Sequence, residues 1–228
     1  MARQIGKQRE SALHSALKEW YRLPGDLLEA DVDGFVIDIL RGDKLIEIQT
    51  GNFSKIKSKL VRLLDTHTVH LVYPLAVLHW IVRVDKASGE LLSRRRSPKR
   101  GDDLQIFDNL VYIAGLLSHP NLSVELLQIE DEIVYINDGL GSWRRKGWSI
   151  LDRRLIKVIN QKILSYPDGY SSLVPSGLPD QFTVRQLAAR SNQRIRLAQK
   201  LVYCLYQVQI LERSGKTGRS WLYRHKQV

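Results

Sequence analysis

Two carboxylates and an amide lie on neighbouring strands of a hairpin that the sequence predicts around Gly42 and Asp43. The runs on either side are rich in Ile, Val and Leu, and a glycine-first pair is a common two-residue hairpin loop. With that loop as the turn, Asp38 lies opposite Glu47, and Gln49 follows on the same face. The other face is almost wholly apolar. A one-residue slip would destroy that apolar face, so the register that forms the core also pairs the carboxylates.

Two carboxylates in directly opposite positions repel each other, and each is costly to remove from water. A divalent cation would relieve both costs, because carboxylate oxygens are preferred ligands of magnesium, manganese and calcium. The alternative is that this face meets solvent and the acids bind nothing. Asp38 and Glu47 are therefore candidate metal ligands, and Gln49 on the same face strengthens the case for a site.

An acid on one strand followed by Glu-x-Gln on the next resembles the core motif of the PD-(D/E)XK nuclease superfamily, with Gln49 where a lysine usually stands. The predicted order of elements is similar as well. It runs from a helix with acids at Glu10 and Glu19, through a strand at 28–33 and the hairpin, to a basic helix near 54–64 and a strand at 69–73. The resemblance covers about the first third of the chain. It implies an α/β fold of the restriction-endonuclease type, a mixed sheet flanked by helices.

The resemblance also implies roles for individual residues. Asp38 and Glu47 would bind Mg²⁺ or Mn²⁺, and Glu10 would complete the metal shell. Gln49 would position the attacking water or contact the scissile phosphate, with hydrogen bonds where lysine supplies a positive charge. The expected activity is metal-dependent hydrolysis of phosphodiester bonds in DNA. The phrases at 46–53 and 141–148 are also similar to an uncharacterised prokaryotic protein family.

Positive charge is concentrated in the last two fifths of the chain. The 228 residues carry a net charge of +11, and 43% of them are hydrophobic, which suits one large or two small domains. Residues 141–228 hold 17 Lys and Arg against 4 Asp and Glu, whereas residues 1–140 are nearly neutral. We expect a nuclease-like domain over 1–140 and a basic domain over 141–228. Such asymmetry is typical of a nucleic-acid partner.

The basic segment is similar to a winged helix-turn-helix domain. Thr183 is a good N-cap for a helix at 184–190, and a second helix is predicted over 193–207. A hairpin with a Gly-rich turn follows at 210–224. The resemblance places the first helix of the domain at 149–164. A winged helix that binds protein instead of DNA is the alternative.

Four groups of residues are candidate nucleic-acid contacts. One of them lies on the second helix of the motif, which in winged helices enters the major groove. The four groups are Gln193, Arg194, Arg196 and Lys200 on that helix; Lys216 and Arg219 at the wing tip; Arg94, Arg95, Arg96, Lys99 and Arg100 in a predicted loop; and Trp143, Arg144, Arg145, Lys146 and Trp148. Tryptophan can stack on bases while arginine contacts phosphate. The loop could equally be only solvated, and the two tryptophans could pack at the domain junction.

The sequence argues against a membrane or secreted protein, and it leaves two alternatives to a DNA nuclease. No run of 18 apolar residues exists, no apolar segment follows the basic N-terminus, and the single Cys204 is predicted to be buried. A cytoplasmic protein without a membrane partner is expected. The main rival is an inactive nuclease-like DNA-binding regulator, and another is a nuclease that acts on RNA. A homodimer would suit a nuclease that cuts duplexes, but no dimer face can be read from the sequence.

Overall fold

The computed structural model describes residues 11–226. They form a mixed α/β fold in which a large sheet is flanked by helices. The helices are α1 (Ala12–Tyr21), α2 (Lys57–Leu63), α3 (Phe107–Leu110), α4 (Asp168–Ser171), α5 (Val184–Arg190) and α6 (Ile195–Gln207). The strands are β1 (Leu27–Val32), β2 (Phe35–Arg41), β3 (Lys44–Ile48), β4 (Thr68–Val84), β5 (Leu91–Arg96), β6 (Leu122–Asn137), β7 (Trp148–Leu164), β8 (Leu211–Thr217) and β9 (Ser220–His225). Short 3-10 helices lie at Phe53–Lys55, Asp103–Ile106, Val111–Leu116 and Trp143–Arg145.

The large sheet has seven strands in the order β1-β2-β3-β4-β6-β7, with β5 paired to β4 off this path. Strands β1, β2 and β3 form an antiparallel meander, whereas β3 and β4 run parallel. A parallel pair needs a crossover connection, and α2 supplies it here. Strands β8 and β9 form a separate antiparallel hairpin.

The chain divides into two compact units. Of the described residues, one unit contains 27–73, 102–126 and 162–226, and the other contains 11–26, 74–101 and 127–161. The long strands β4, β6 and β7 contribute residues to both units. The acids of the predicted hairpin and the basic α6 belong to the first of these units.

The predicted hairpin is confirmed in its turn and in its register. Gly42 has a φ of +59°, which suits glycine because a side chain is strained there. Leu40 pairs with Leu45 and Arg41 pairs with Lys44, as the loop requires. The apolar face of the two strands is almost completely buried and forms part of the core; it consists of Ile37, Ile39, Ile46 and Ile48.

The C-terminal helices also begin where the sequence indicates. The Thr183 hydroxyl accepts a hydrogen bond from the backbone N–H of Gln186, and the Gln186 side chain accepts one from the Thr183 N–H, which makes a capping box at the start of α5. Helix α6 buries one stripe of side chains, which are Leu197, Ala198, Leu201, Val202, Cys204 and Leu205. Burial of Cys204 confirms the prediction of a core thiol.

The expected helix over 149–164 is wrong. Apolar residues at 151, 155, 158 and 159 have helical spacing, but the segment forms β7, paired with β6 at the edge of the sheet. Isoleucine and valine are frequent in it, and sheet pairing overrides a weak helical pattern. The large sheet therefore extends past residue 140.

Two further local expectations change. The loop expected at 93–101 begins as strand, because Arg94, Arg95 and Arg96 lie on β5 and pair with β4. The sequence also predicts one helix over 104–117, but the segment forms three short pieces, with a kink at Ile113, where φ is −119°. Among residues 11–226, no helix has both the length and the apolar composition needed to cross a membrane.

Candidate functional site

The β2–β3 hairpin brings Asp38 and Glu47 together as the sequence predicts. The paired residues of β2 and β3 run from the turn as far as Ile39 and Ile46. Beyond them, the Asp38 side chain bonds to the backbone of β3. Its Oδ2 accepts a hydrogen bond of 2.8 Å from the backbone N–H of Ile48. This bond holds a half-buried carboxylate beside Glu47, whose side chain lies almost entirely inside the protein, with the residue only 6% exposed.

Lysine 59 on α2 completes this cluster, and the sequence analysis missed it. Its ammonium donates a short hydrogen bond to Glu47 Oε1 and another of 2.6 Å to the backbone carbonyl of Val36. Only 16% of its side chain is exposed. The signal was present in the sequence, because Ile56, Lys59 and Leu60 follow the i, i+3, i+4 pattern of a buried helical stripe. A lysine in such a stripe indicates a buried anionic partner.

The environment of Glu47 changes its acidity. The pKa of Glu47 is raised from 4.5 to about 7, chiefly by burial and secondly by the neighbouring charge of Asp38. Lys59 opposes both effects by its charge and its hydrogen bond. Near neutral pH this carboxyl therefore exists in both protonation states, and a second cation would favour the ionised one.

Asp38 and Glu47 provide the smallest set of carboxylate ligands that commonly binds a hard divalent cation. Mg²⁺ keeps several waters and is commonly held by one or two carboxylates together with substrate phosphates. Asp38 and Glu47 supply two adjacent carboxylates, which meet that minimum. Within residues 11–226, no group of three or more His, Cys, Asp or Glu side chains is arranged to hold a metal ion. Glu10, the predicted third ligand, lies outside the described residues.

Gln49 faces a neighbouring loop. Its backbone N–H continues the sheet by donating to the carbonyl of Val72 at 2.9 Å. Its side-chain amide donates to the backbone carbonyl of Asn52 at 3.2 Å. The positive charge next to Glu47 thus comes from Lys59 on the helix, and Gln49 connects the end of β3 to the following turn.

The first basic cluster lies on and after β5. Its members Arg94, Arg95, Arg96, Lys99 and Arg100 are all exposed. The Arg94 guanidinium stacks 4.0 Å from the centre of the Trp80 ring, and its Nε lies 3.4 Å from Glu132. Part of this cluster is thus already paired with an acid of the same chain.

The second basic cluster forms a short turn around Trp143. That indole is 82% exposed, so it does not pack at a domain junction as the alternative proposed. The Arg144 guanidinium lies 5.4 Å from its ring centre. Trp148 is half-buried and lies under Arg83 at 4.7 Å, so the two indoles have different surroundings. Arg145 belongs to the same 3-10 turn, and Lys146 ends it with a φ of +50°.

The third group lies at the start of α6. Lys200 bonds to Asp108 at 2.6 Å. Gln193, Arg194, Arg196 and Lys200 line one concavity of about 480 Å³ together with Gln105, Asp108 and Leu197. Lys200 is therefore engaged with α3. Arg194 and Arg196 are exposed, as are Lys216 and Arg219 on the hairpin.

Comparison with known proteins identifies related sequences. A family model described as "Domain of unknown function (DUF8091)" matches residues 11–165, a range that includes Asp38, Glu47 and Lys59. A Treponema pallidum (strain Nichols) protein named "Uncharacterized protein" is 30% identical over 227 residues, which is 96% of this chain and 87% of that relative. No solved structure matches the chain.

Proposed function

We propose that this chain, which belongs to the family described as Domain of unknown function (DUF8091), is a metal-dependent nuclease that hydrolyses phosphodiester bonds in DNA. The observation that carries the proposal is the convergence of Asp38, Glu47 and Lys59 in one buried cluster. Two neighbouring acids, one of them paired with a lysine, are the groups that the PD-(D/E)XK resemblance requires. The lysine comes from α2 instead of β3.

The order of elements supports the same proposal. Helix α1, the β1–β3 meander, α2 and the parallel strand β4 follow one another as the resemblance implies. In the C-terminal part, α5, α6 and the β8–β9 hairpin have the order of a helix-turn-helix followed by a wing. We assign to them the binding of the nucleic acid.

Asp38 and Glu47 would hold Mg²⁺ or Mn²⁺, with Glu10 as the proposed further ligand. When bound, the cation would supply Lewis-acid polarisation of the phosphate and a lower pKa for a bound water. The hydrogen bond from Ile48 N–H fixes the orientation of the Asp38 carboxylate beside Glu47. Ionisation of Glu47 would become favourable as the second positive charge arrives.

Lys59 would stabilise negative charge on the scissile phosphate. Its hydrogen bond to the Val36 carbonyl would keep the ammonium in place if Glu47 turned towards a cation. A preorganised donor in a site of low polarity stabilises developing charge strongly, and removal of one such donor typically lowers kcat by about 10²- to 10³-fold. Gln49 would then contribute hydrogen bonds to water or phosphate.

The direct test is Mg²⁺-dependent cleavage of supercoiled plasmid and of a duplex with a single-stranded tail by four proteins: the wild type, Asp38→Asn, Lys59→Met and Lys57→Met. Lys57 is exposed on the same helix and serves as the matched control. We expect wild type and Lys57→Met to cut, and both site variants to lose roughly 100-fold or more of the rate. No cleavage by the wild type, or equal cleavage by Asp38→Asn, would refute the assignment.

A second candidate is a DNA-binding regulator built on an inactive nuclease-like scaffold. The ion pair between Lys59 and Glu47 favours it, because that pair already satisfies one carboxylate without a metal. This candidate predicts DNA binding without cleavage in the same experiment. A third candidate is a ribonuclease. A parallel reaction with an RNA substrate distinguishes it from the DNA nuclease and from the regulator.

A further inference from the structure

One face of the β8–β9 hairpin carries two cations and an indole. Arg213 pairs with Tyr223 across the strands, and Lys216 pairs with Trp221. The register shifts between Arg213 and Gly215, so Ser214 is an extra residue in the ladder. On a regular strand, residues three positions apart point to opposite faces. Because of the bulge at Ser214, Arg213 and Lys216 point to the same face.

These side chains form an exposed stack. The Arg213 guanidinium lies 4.4 Å from the centre of the Trp221 ring and 4.9 Å from that of Tyr206 on α6. The Lys216 ammonium lies 4.3 Å from the same indole. Trp221 is 39% exposed, so part of its ring remains accessible to a ligand.

Within the part of the chain that the structure describes, no carboxylate compensates the positive charge of this stack. Among residues 11–226, neither Arg213 nor Lys216 forms an ion pair with a carboxylate. On the same hairpin, Arg224 bonds to Glu212 at 2.6 Å and is therefore neutralised. Unpaired cations beside an exposed indole suit a ligand that has both negative charge and flat rings.

A groove runs from this stack along α5 and α6. It consists of two adjoining concavities of about 210 and 300 Å³, which share Val184, Gln199 and Tyr223 in their walls. Tyr203, which is 48% exposed, lines the first concavity, and Trp221 lines the second. Aromatic rings thus stand along both parts of the groove, which we call the hairpin groove.

We propose that the hairpin groove binds unpaired nucleotides of a single-stranded nucleic acid. Bases would stack on Trp221 and Tyr203, while Arg213 and Lys216 meet the phosphates. Lys216 has a flexible stem and leaves the indole as a base takes its place. The faces of paired bases are covered by their neighbours in a duplex, so an aromatic groove favours unpaired ones.

This inference rests on the proposed function and makes it more specific, because it names the form of the substrate. The nuclease would then act on nucleic acid that has an unpaired end or segment. The basic start of α6, which lines a different concavity, remains available for the adjoining backbone.

The test measures fluorescence anisotropy of a labelled single-stranded oligonucleotide with the full chain in EDTA, beside a duplex of the same sequence. We expect tighter binding of the single strand. Trp221→Leu should weaken it roughly five- to one-hundred-fold, as loss of one stacked base does. Lys216→Gln should lower the slope of log affinity against log salt by about 0.7, which corresponds to one phosphate contact on a single strand.

Arg224→Gln is the matched control, since it removes a compensated cation from the same hairpin and should change the affinity less than twofold. Wild-type affinity in folded Trp221→Leu, or an equal loss on duplex and single strand, would overturn the proposal. If Trp221→Leu fails to fold by circular dichroism, an unchanged salt slope in Lys216→Gln would overturn it. Because EDTA prevents cleavage, a chain that binds single strands through Trp221 but cuts neither plasmid nor the tailed duplex would support this inference and refute only the nuclease.

Discussion

Replacement of Lys59 by methionine should raise the pKa of Glu47 above its value of about 7. The variant removes the only ion pair described for this carboxylate within residues 11–226 and keeps an unbranched apolar stem, so the packing of α2 is preserved. Burial and the charge of Asp38 both remain, and both raise the pKa. With only the weaker hydrogen bond from the Asp38 backbone left to oppose them, the neutral acid becomes the favoured form at neutral pH.

The size of the change follows from the lost hydrogen bond. A hydrogen bond to a charged group contributes about 1.5–3 kcal/mol. One pKa unit corresponds to about 1.4 kcal/mol, so the pKa of Glu47 should rise by about 1 to 2 units, to between about 8 and 9. At pH 7.5 the ionised fraction of Glu47 would fall from roughly three quarters to roughly one quarter at a pKa of about 8, and to roughly 3% at a pKa of about 9.

Carboxyl ¹³C NMR of glutamate-labelled protein, titrated from pH 5 to pH 10, measures this pKa directly. The spectrum of Glu47→Gln identifies the resonance. Lys57→Met, which removes an exposed lysine from the same helix, should leave the titration of Glu47 unchanged. A pKa at or below 7 in Lys59→Met would refute the argument that Lys59 is what holds the carboxylate ionised.

Three other predictions concern the same unit. The raised pKa of Glu47 means that the folded state holds this proton more tightly than the unfolded state does. The free energy of unfolding should therefore fall by about 3 kcal/mol between pH 4.5 and pH 7, relative to Glu47→Gln. Urea denaturation at the two pH values measures this difference. Asp38→Asn should lower the pKa of Glu47, because it removes a like charge while the amide oxygen still accepts from Ile48; the same NMR titration measures it. Burial raises the pKa of the Cys204 thiol to about 12, so a thiol reagent should modify it only after unfolding, and rapid modification of the native protein would contradict this.

The two acids of the site could be predicted because their geometry is local. A Gly-Asp loop fixes the pairing of β2 with β3, and strict alternation of side chains then places Asp38 and Glu47 on one face. The same reasoning gave the N-cap of α5 at Thr183. In each case the deciding interactions lie within about ten residues of one another along the chain.

Lys59 could not be assigned in the same way, because its role depends on how α2 packs against the sheet. The stripe of Ile56, Leu60 and Leu63 shows which face of α2 is buried, but not which strand residue that face meets. The family motif places its lysine at the position of Gln49, just after β3, so the motif alone gives no indication of a lysine on α2. A lysine on an apolar helical stripe was the more informative signal.

The segment 149–164 shows the opposite failure. Its apolar spacing fits a helix, yet pairing with β6 satisfies the backbone of a long strand and decides the outcome. Arg94–Arg96 form strand for a related reason, since repulsion between exposed cations is weak in water and ladder pairing with β4 outweighs it. Long-range pairing of this kind is not encoded in any short window of sequence.

The most direct measurement of the central claim is calorimetric titration of the full chain with Mn²⁺ at pH 8. If Asp38 and Glu47 form a cation site, wild type and Lys57→Met should bind the metal with similar affinity, and Asp38→Asn should bind it at least about tenfold more weakly. The affinity of the wild type should also rise as the pH increases through 7, because Glu47 must release its proton. No binding by the wild type, or the same affinity in Asp38→Asn, would contradict the account.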